Sequence, residues 1–511
     1  MSNEIGFIMK KNVITFLENS YCKYPTKCAC ADEKNAISYC ELWVDSHIIA
    51  GNLMNMVDIG MPVPVLMKKS CTTLKIIWGI IKAGGCYVII DSSLPKERIA
   101  NILRTLDATW IIGESCDEIK IPEEIDIFSF ESLLVSNTNC QEDAVNERIN
   151  QICDIDPLYI MFTSGSTGLP KGIVANHRSV IDFIDCFTEI FEICEGDIIG
   201  NQAPWDFDVS VKDIFSAARV GATLQIIPKK YFSLPTQLVD FLGERKITTL
   251  IWAVSALCII SSRGVLEYKK PESIKKIIFS GEVMPVKQYN IWRKSYPDAM
   301  FVNVYGPTEI TCNCTYFFVE DLYNETEVIP IGSAFPNEKV FLLDDNECPI
   351  NYVEKERSII GEICISGTAV TMGYYNNFDA TNLNFVQNPL NDRYPEIIYK
   401  TGDLGYYNEN GQLCYSSRKD FQIKHMGHRI ELGEIEKVVN GFSEVNMCCC
   451  VYHENEIVMF YEGKFDSKII ISQIRKKLPV YMVPAKIVNL DVMPLNKNGK
   501  TDRAKLVEYL E

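Results

Sequence analysis

The sequence predicts an α/β protein, α+β overall. A large N-terminal domain would hold parallel-sheet subdomains and a small barrel-like piece, followed by a small α+β C-terminal domain. Three observations carry this reading. Helix and strand signals alternate over residues 73–109, and the pattern recurs around 248–253 and 276–280. Short β runs punctuated by Gly and Pro fill residues 328–399. Helix and strand signals mix again after Asp420. Single strands alternating with helices are the pattern of parallel strands joined by crossovers.

The elements follow in order. Residues 73–82 (TLKIIWGIIK) have helical spacing, which Ala83-Gly84-Gly85 ends; 86–90 (CYVII) is a short apolar, β-rich run; Pro95 opens a helical stretch, KERIANILRTL. Residues 248–253 (TTLIWA) and 276–280 (KIIFS) repeat the strand signal near amphipathic segments. Within 328–399 the runs 339–343 and 362–366 are short and bounded by turn residues, as antiparallel strands are. A final helical segment spans 502–510. The polar cluster Arg418-Lys419-Asp420 marks the expected boundary, giving an N-terminal domain over 1–419 and a C-terminal domain over 420–511.

Composition excludes several classes. With 511 residues, 47% hydrophobic and 23% charged, the chain is globular and long enough to bury a core without disulfides or metals. Its net charge of −17 disfavours non-specific binding to nucleic acid or anionic membranes. The 20 cysteines are scattered, with no CxxC spacing, and read as small hydrophobes kept reduced in a cytoplasm. No run reaches the ~18 apolar residues of a membrane span, so no membrane insertion is expected.

The strongest chemical feature is the run Thr163-Ser164-Gly165-Ser166-Thr167-Gly168-Leu-Pro-Lys171-Gly172 behind the apolar strand signal 159–162. Small residues let backbone N–H groups approach phosphate oxygens, hydroxyls add donors, and Lys171 adds a compact positive charge. Lys171 follows Leu-Pro and precedes Gly, which departs from the Walker pattern and disfavours an ordinary P-loop NTPase.

This loop resembles that of the adenylate-forming superfamily, which includes acyl-CoA synthetases, luciferases and the amino-acid adenylation domains of non-ribosomal peptide synthetases. Four further motifs follow in the family's order: Asn303-Val304-Tyr305-Gly306-Pro-Thr308-Glu309; Tyr399-Lys-Thr401-Gly402-Asp403; Arg418-Lys-Asp420-Phe-Gln422 with Gly427-His-Arg429-Ile-Glu431; and Pro494-Leu-Asn-Lys-Asn-Gly499-Lys500. The resemblance covers nearly the whole chain. It implies ATP and Mg²⁺ as cofactors, with Thr163 to Gly168 and Lys171 around the phosphates. Asn303, Val304, Tyr305 and Gly306 would lie at adenine, with Tyr305 stacking on the base. Asp403 would hold the ribose hydroxyls, and Tyr415 and Arg418 would add ribose and phosphate contacts. Thr308 would donate to the α-phosphate, Glu309 would ligate Mg²⁺, and Lys500 would bridge the reacting groups as a catalytic residue. Asp420 would be the hinge about which the C-terminal domain rotates. Two positions depart from the pattern: Ser417 stands where the family has Gly, and Met426 where it has a basic residue.

The acyl pocket comes by the same resemblance to Phe207, Asp208, Val209, Lys212, Trp252, Ile278, Ser280, Val304, Cys312, Asn313 and Lys500. Asp208 would bind an α-ammonium group; a cap for the helix that follows is its structural alternative. Trp252 would shorten the cavity, suggesting a serine- or alanine-like amino acid. Lys212 would either pair with an acidic side chain or turn toward Asp213. With no carrier segment after Lys500, a free-standing monomeric ligase is expected, similar to D-alanine–D-alanyl carrier protein ligases, that passes its product to the phosphopantetheine thiol of a separate carrier protein. An acyl- or aryl-CoA ligase and a non-catalytic nucleotide-binding homologue are the alternatives.

Overall fold

The computed structural model describes residues 12–113, 121, 124–135, 141–164, 170–324, 326–351, 359–419, 422–464, 466–495 and 501–510. The predicted alternation is present. Cys71–Lys82 is a helix whose first turn is capped by the Ser70 hydroxyl, Cys86–Ile90 is a strand, and Lys96–Thr105 is the next helix. Every residue of Cys86–Ile90 is buried, as expected of a strand covered on both faces.

Two large sheets build the N-terminal part. A six-stranded sheet runs in the order Asp126–Phe128, Trp110–Gly113, Pro62–Leu66, Cys86–Ile90, Pro157–Thr163, Lys171–Asn176, parallel except for the last pair. A nine-stranded sheet has Met300–Tyr305, Lys276–Ser280, Thr249–Ala253, Ile198–Asn201, Thr223–Ile226 and Cys28–Ala31 as its parallel centre, with antiparallel strands at both edges. Parallel strands end on the same side of a sheet, so the loops after Thr163, Ser280 and Tyr305 can supply a ligand site at the carboxyl ends.

The stretch expected to be barrel-like is a six-stranded antiparallel sheet. It includes Glu338–Leu343, Gly361–Gly367, Ile397–Tyr407 and Leu413–Arg418, and its strand order is open among the described residues. Beyond it, a hairpin of Gln422–His425 and His428–Glu431 precedes a three-stranded sheet of Val445–His453, Glu456–Gly463 and Lys486–Leu490. Helices Leu432–Asn440 and Ser467–Lys477 cover that sheet through a core of its own, with Ile435, Val439, Met459, Ile470 and Ile474 buried together. Many of the cysteines, Cys30, Cys86, Cys364 and Cys450 among them, are buried thiols. No described helix is long and apolar enough to cross a membrane.

Candidate active site

The phosphate-loop strand Pro157–Thr163 delivers Thr163 and Ser164, both buried, to the end of the six-stranded sheet, and Lys171 pairs with Thr163 on the returning strand. Lys171 Nζ lies 5.3 Å from the centre of the Tyr374 ring. Gly165, Ser166, Thr167, Gly168, Asp420 and Lys500 lie outside the described residues.

The strand Met300–Tyr305 leads through Gly306 and Pro307 into a single 3₁₀ turn, Thr308–Ile310, which carries Thr308 and Glu309. A Cβ at Gly306 would stand 2.5 Å from the Asn313 Cα, so only glycine lets the two limbs of this loop close. Thr311 and Cys312 both have positive φ, 38° and 84°, which places strain at the loop's turn. Asn303 donates to the Pro330 carbonyl at 2.8 Å. Tyr305 Oη donates to Asp403 Oδ2 at 2.6 Å, and Arg418 Nη1 bonds Asp403 Oδ1 at 2.7 Å. A carboxylate oxygen can accept more than one bond, so Asp403 keeps acceptor capacity for a diol while Tyr305 and Arg418 orient it. Tyr415, two residues past Leu413, packs against the cluster that includes Tyr305 and Tyr399.

Glu309 is buried, yet its acid is held below the usual carboxylate value: burial raises it, but the Arg429 guanidinium and the Tyr374 hydroxyl outweigh that. Tyr374 Oη donates to Oε1 at 2.7 Å and Arg429 Nη1 bonds Oε2 at 2.5 Å. A single hard, ionised oxygen donor suits Mg²⁺, which takes few protein ligands and shares the rest of its shell with phosphate and water. Glu309 would hold the ion once Arg429 withdrew from Oε2.

At the acyl pocket, Asp208 immediately precedes the helix Val209–Val220 at the N-cap position but makes no side-chain capping hydrogen bond there. Burial pushes its acid up, opposed by the Thr308 hydroxyl and the charge of Lys212. Lys212 is fully buried and donates to Ser280 Oγ at 3.1 Å and Asn313 Oδ1 at 2.9 Å. It does not turn to Asp213, whose Oδ2 accepts from Asn201 Nδ2 at 2.6 Å. Ile278, Val304 and Cys312 are buried in one cluster on this face of the sheet.

Trp252 corrects the sequence reading. Its side chain lies on the opposite face, packed with Leu250, Ile277 and Phe279, and its indole N–H donates to the Gly200 carbonyl at 2.7 Å. Successive side chains of a strand point to opposite faces. Ile251, one residue earlier, therefore shares the cluster of Ile278 and Val304. Trp252 does not shorten this cavity.

The hairpin 422–431 reaches into the site from the C-terminal unit. Ser164 Oγ donates to the Arg429 carbonyl at 2.7 Å, and the Gly427 N–H donates to Glu282 Oε1 at 2.9 Å. Lys424 Nζ stands 5.2 Å from the centre of the Tyr305 ring. His428 meets Phe207 edge-on at 5.0 Å and stacks on Tyr481 at 3.7 Å. A buried ion pair, Arg98–Glu434 at 2.8 Å, ties the hairpin's following helix to the six-stranded sheet's side. Sequence reasoning missed Tyr374 and Lys69. Lys69 Nζ is bound by the carbonyls of Asn201, Gln202 and Ala203 and by Asn201 Oδ1, at 2.9 to 3.3 Å, so it clamps the segment that leads to Asp208. Neither residue stands in a recognisable motif, and only the fold brings them in.

Comparison with known proteins agrees with this geometry. The AMP-binding enzyme family matches residues 17–375, and the chain belongs to that family of adenylate-forming ligases, which use ATP and Mg²⁺. It is 30% identical to D-alanine–D-alanyl carrier protein ligase of Bacillus velezensis, over 93% of this chain and 94% of that one. It is 33% identical to bacitracin synthase 1 of Bacillus licheniformis over 84% of its own length, while spanning 8% of that much longer protein. The fold is shared with holo-PA1221, an NRPS protein containing adenylation and PCP domains, at a TM-score of 0.82 and 23% identity, covering 98% of this chain and 84% of that one.

Proposed function

We propose that the protein activates an α-amino acid as aminoacyl-AMP and passes it to the phosphopantetheine thiol of a separate carrier protein. The observation that carries the amino-acid reading is Asp208: a buried carboxylate, without a side-chain capping hydrogen bond, beside Thr308 and Glu309, whose desolvation outweighs the help of the Thr308 hydroxyl and the charge of Lys212. A buried carboxylate with no cation in direct hydrogen-bond contact is costly, and a substrate α-ammonium group supplies such a cation.

In the first step a substrate carboxylate oxygen attacks the α-phosphorus of ATP, and the bond to pyrophosphate breaks. In the second the thiol sulfur attacks the acyl carbonyl and AMP leaves. This chain's residues position and neutralise: Asp403 with Tyr305 and Arg418 orients the ribose, Lys171 and the 163–168 loop take phosphate charge, and Thr308 and Glu309 flank the reacting phosphorus. A bound Mg²⁺ would neutralise phosphate charge. Lys500 would serve the first step only, with the C-terminal domain, residues 420–511, rotating about Asp420 between steps. The docked hairpin, with Arg429 on Glu309, is the arrangement we assign to thioester formation. The similarity to a D-alanine–D-alanyl carrier protein ligase supports a carrier protein as the acceptor.

Amino-acid-dependent exchange of pyrophosphate into ATP tests the first step. Lys500→Ala is expected to abolish exchange while sparing thioester formation from preformed adenylate. Equal loss of both half-reactions would refute the role given to Lys500. A response to free fatty or aryl acids alone, with their transfer to CoA, would establish the alternative ligase class.

A further inference from the structure

We infer that the amino acid activated here carries an anionic side chain, bound by Lys212; the inference rests on the amino-acid reading above. Lys212 stands four residues after Asp208, at the start of the helix Val209–Val220, so the two side chains emerge from one face a turn apart. Its ammonium group is fully buried. Its hydrogen-bond partners among the described residues, Ser280 Oγ and Asn313 Oδ1, are neutral, and an ammonium group has three donors to offer. Ser280 ends one strand and Asn313 lies in the loop after its neighbour, so both hold the ammonium at the carboxyl end of the sheet, beside the buried Ile278, Val304 and Cys312. Asp213, the sequence neighbour that might have neutralised it, is turned to Asn201.

A buried cation whose direct hydrogen-bond partners are neutral is costly, the carboxylates of Asp208 and Asp213 act on it only through space, and an anion in contact with it relieves that cost. In the empty pocket the charge of Asp208 offsets that of Lys212 in part. A bound amino acid changes this, because its α-ammonium engages Asp208 and leaves Lys212 as the uncompensated charge. A side-chain carboxylate completes the set, ammonium on Asp208 and carboxylate on Lys212, with the Ser280 hydroxyl able to donate to the same group. Serine or alanine would leave Lys212 unmatched. Removal of Trp252 from the pocket wall also withdraws the steric argument for so small a substrate.

The test is pyrophosphate exchange by the purified full chain with aspartate, glutamate, asparagine, glutamine, serine, alanine and benzoate. We expect one of the two acids to give the highest kcat/KM, about 100-fold above its amide, with Lys212→Met collapsing that ratio. Preference for a neutral amino acid over both acids overturns the inference and leaves the amino-acid reading standing. Response to benzoate alone overturns both. An unchanged acid-to-amide ratio in a folded Lys212→Met protein also overturns the role of Lys212. The wild-type panel needs no variant, so it decides the matter even if Lys212→Met fails to fold.

Discussion

At the scale of single residues, the candidate site is a set of buried charges, some paired within the protein, as Glu309 is with Arg429 and Asp403 with Arg418, and others, Asp208 and Lys212, without a charged partner in direct contact. Asp208 is held in an environment that disfavours its charge, and Glu309 in one that favours it. The difference follows from their partners, a hydroxyl and a more distant lysine against a guanidinium in direct contact. Asp208→Ala should therefore reduce amino-acid-dependent exchange by roughly 100-fold or more, the effect of removing one partner of a buried charge pair, while ATP binding measured by calorimetry stays within about threefold of wild type. Equal loss of nucleotide binding would show that Asp208 supports the fold instead. At this scale the sequence was informative about Asp208, Glu309 and Asp403, because short motifs carry them. It misled at Trp252, where a one-residue offset in a strand moves a side chain to the other face.

At the scale of elements, the loop from Gly306 to Asn313 joins the nucleotide and acyl parts of the site. It runs from Tyr305, bonded to Asp403, through Thr308 and Glu309, to the strained Thr311 and Cys312, and ends at Asn313 on Lys212. Gly306→Ala would bring a methyl group 2.5 Å from the Asn313 Cα and 2.7 Å from the Cys312 carbonyl oxygen, so backbone must move. We expect a loss of roughly 1–3 kcal/mol, seen as a lower thermal midpoint, together with loss of exchange activity. A variant with wild-type midpoint and activity would mean that the loop closes loosely. Strand and helix identities were legible from periodicity: Lys276–Ser280 and Cys86–Ile90 appear where the apolar runs stand. The open antiparallel sheet around Gly361–Gly367 was not, because local β signals do not say whether a sheet closes on itself.

For the whole molecule, the decisive feature is how the C-terminal unit meets the rest. His428 is half-buried between Phe207 and Tyr481, and desolvation there pushes its pKa down from 6.5 to about 3. A base whose pKa is depressed on docking binds a proton more readily when undocked. Under the rotation proposed for the C-terminal domain, docking is expected to hold above about pH 6.5 and to weaken as pH falls toward 3, by up to tenfold per pH unit for one group. Energy transfer between labels on the two units should report undocking as pH falls from about 7 to about 5. His428→Phe, which keeps the stack without the titration, should flatten that response. An identical pH profile in the variant would remove His428 as its source.

The sequence by itself determined the family chemistry, because nucleotide-binding loops need particular residue types at fixed short spacings: Thr163 to Lys171, Tyr305 to Glu309, and Asp403 all lie within such runs. Tertiary structure alone decided which side chains share the acyl pocket. Ser280, Asn313 and Lys212 are separated by up to 101 residues, and only strand pairing and the closed turn at Gly306 bring them within hydrogen-bonding distance. It alone also put Arg429 on Glu309 and Lys69 on the segment before Asp208. Spacing along a chain encodes local geometry, whereas the direction a buried charge faces depends on which distant groups pack around it.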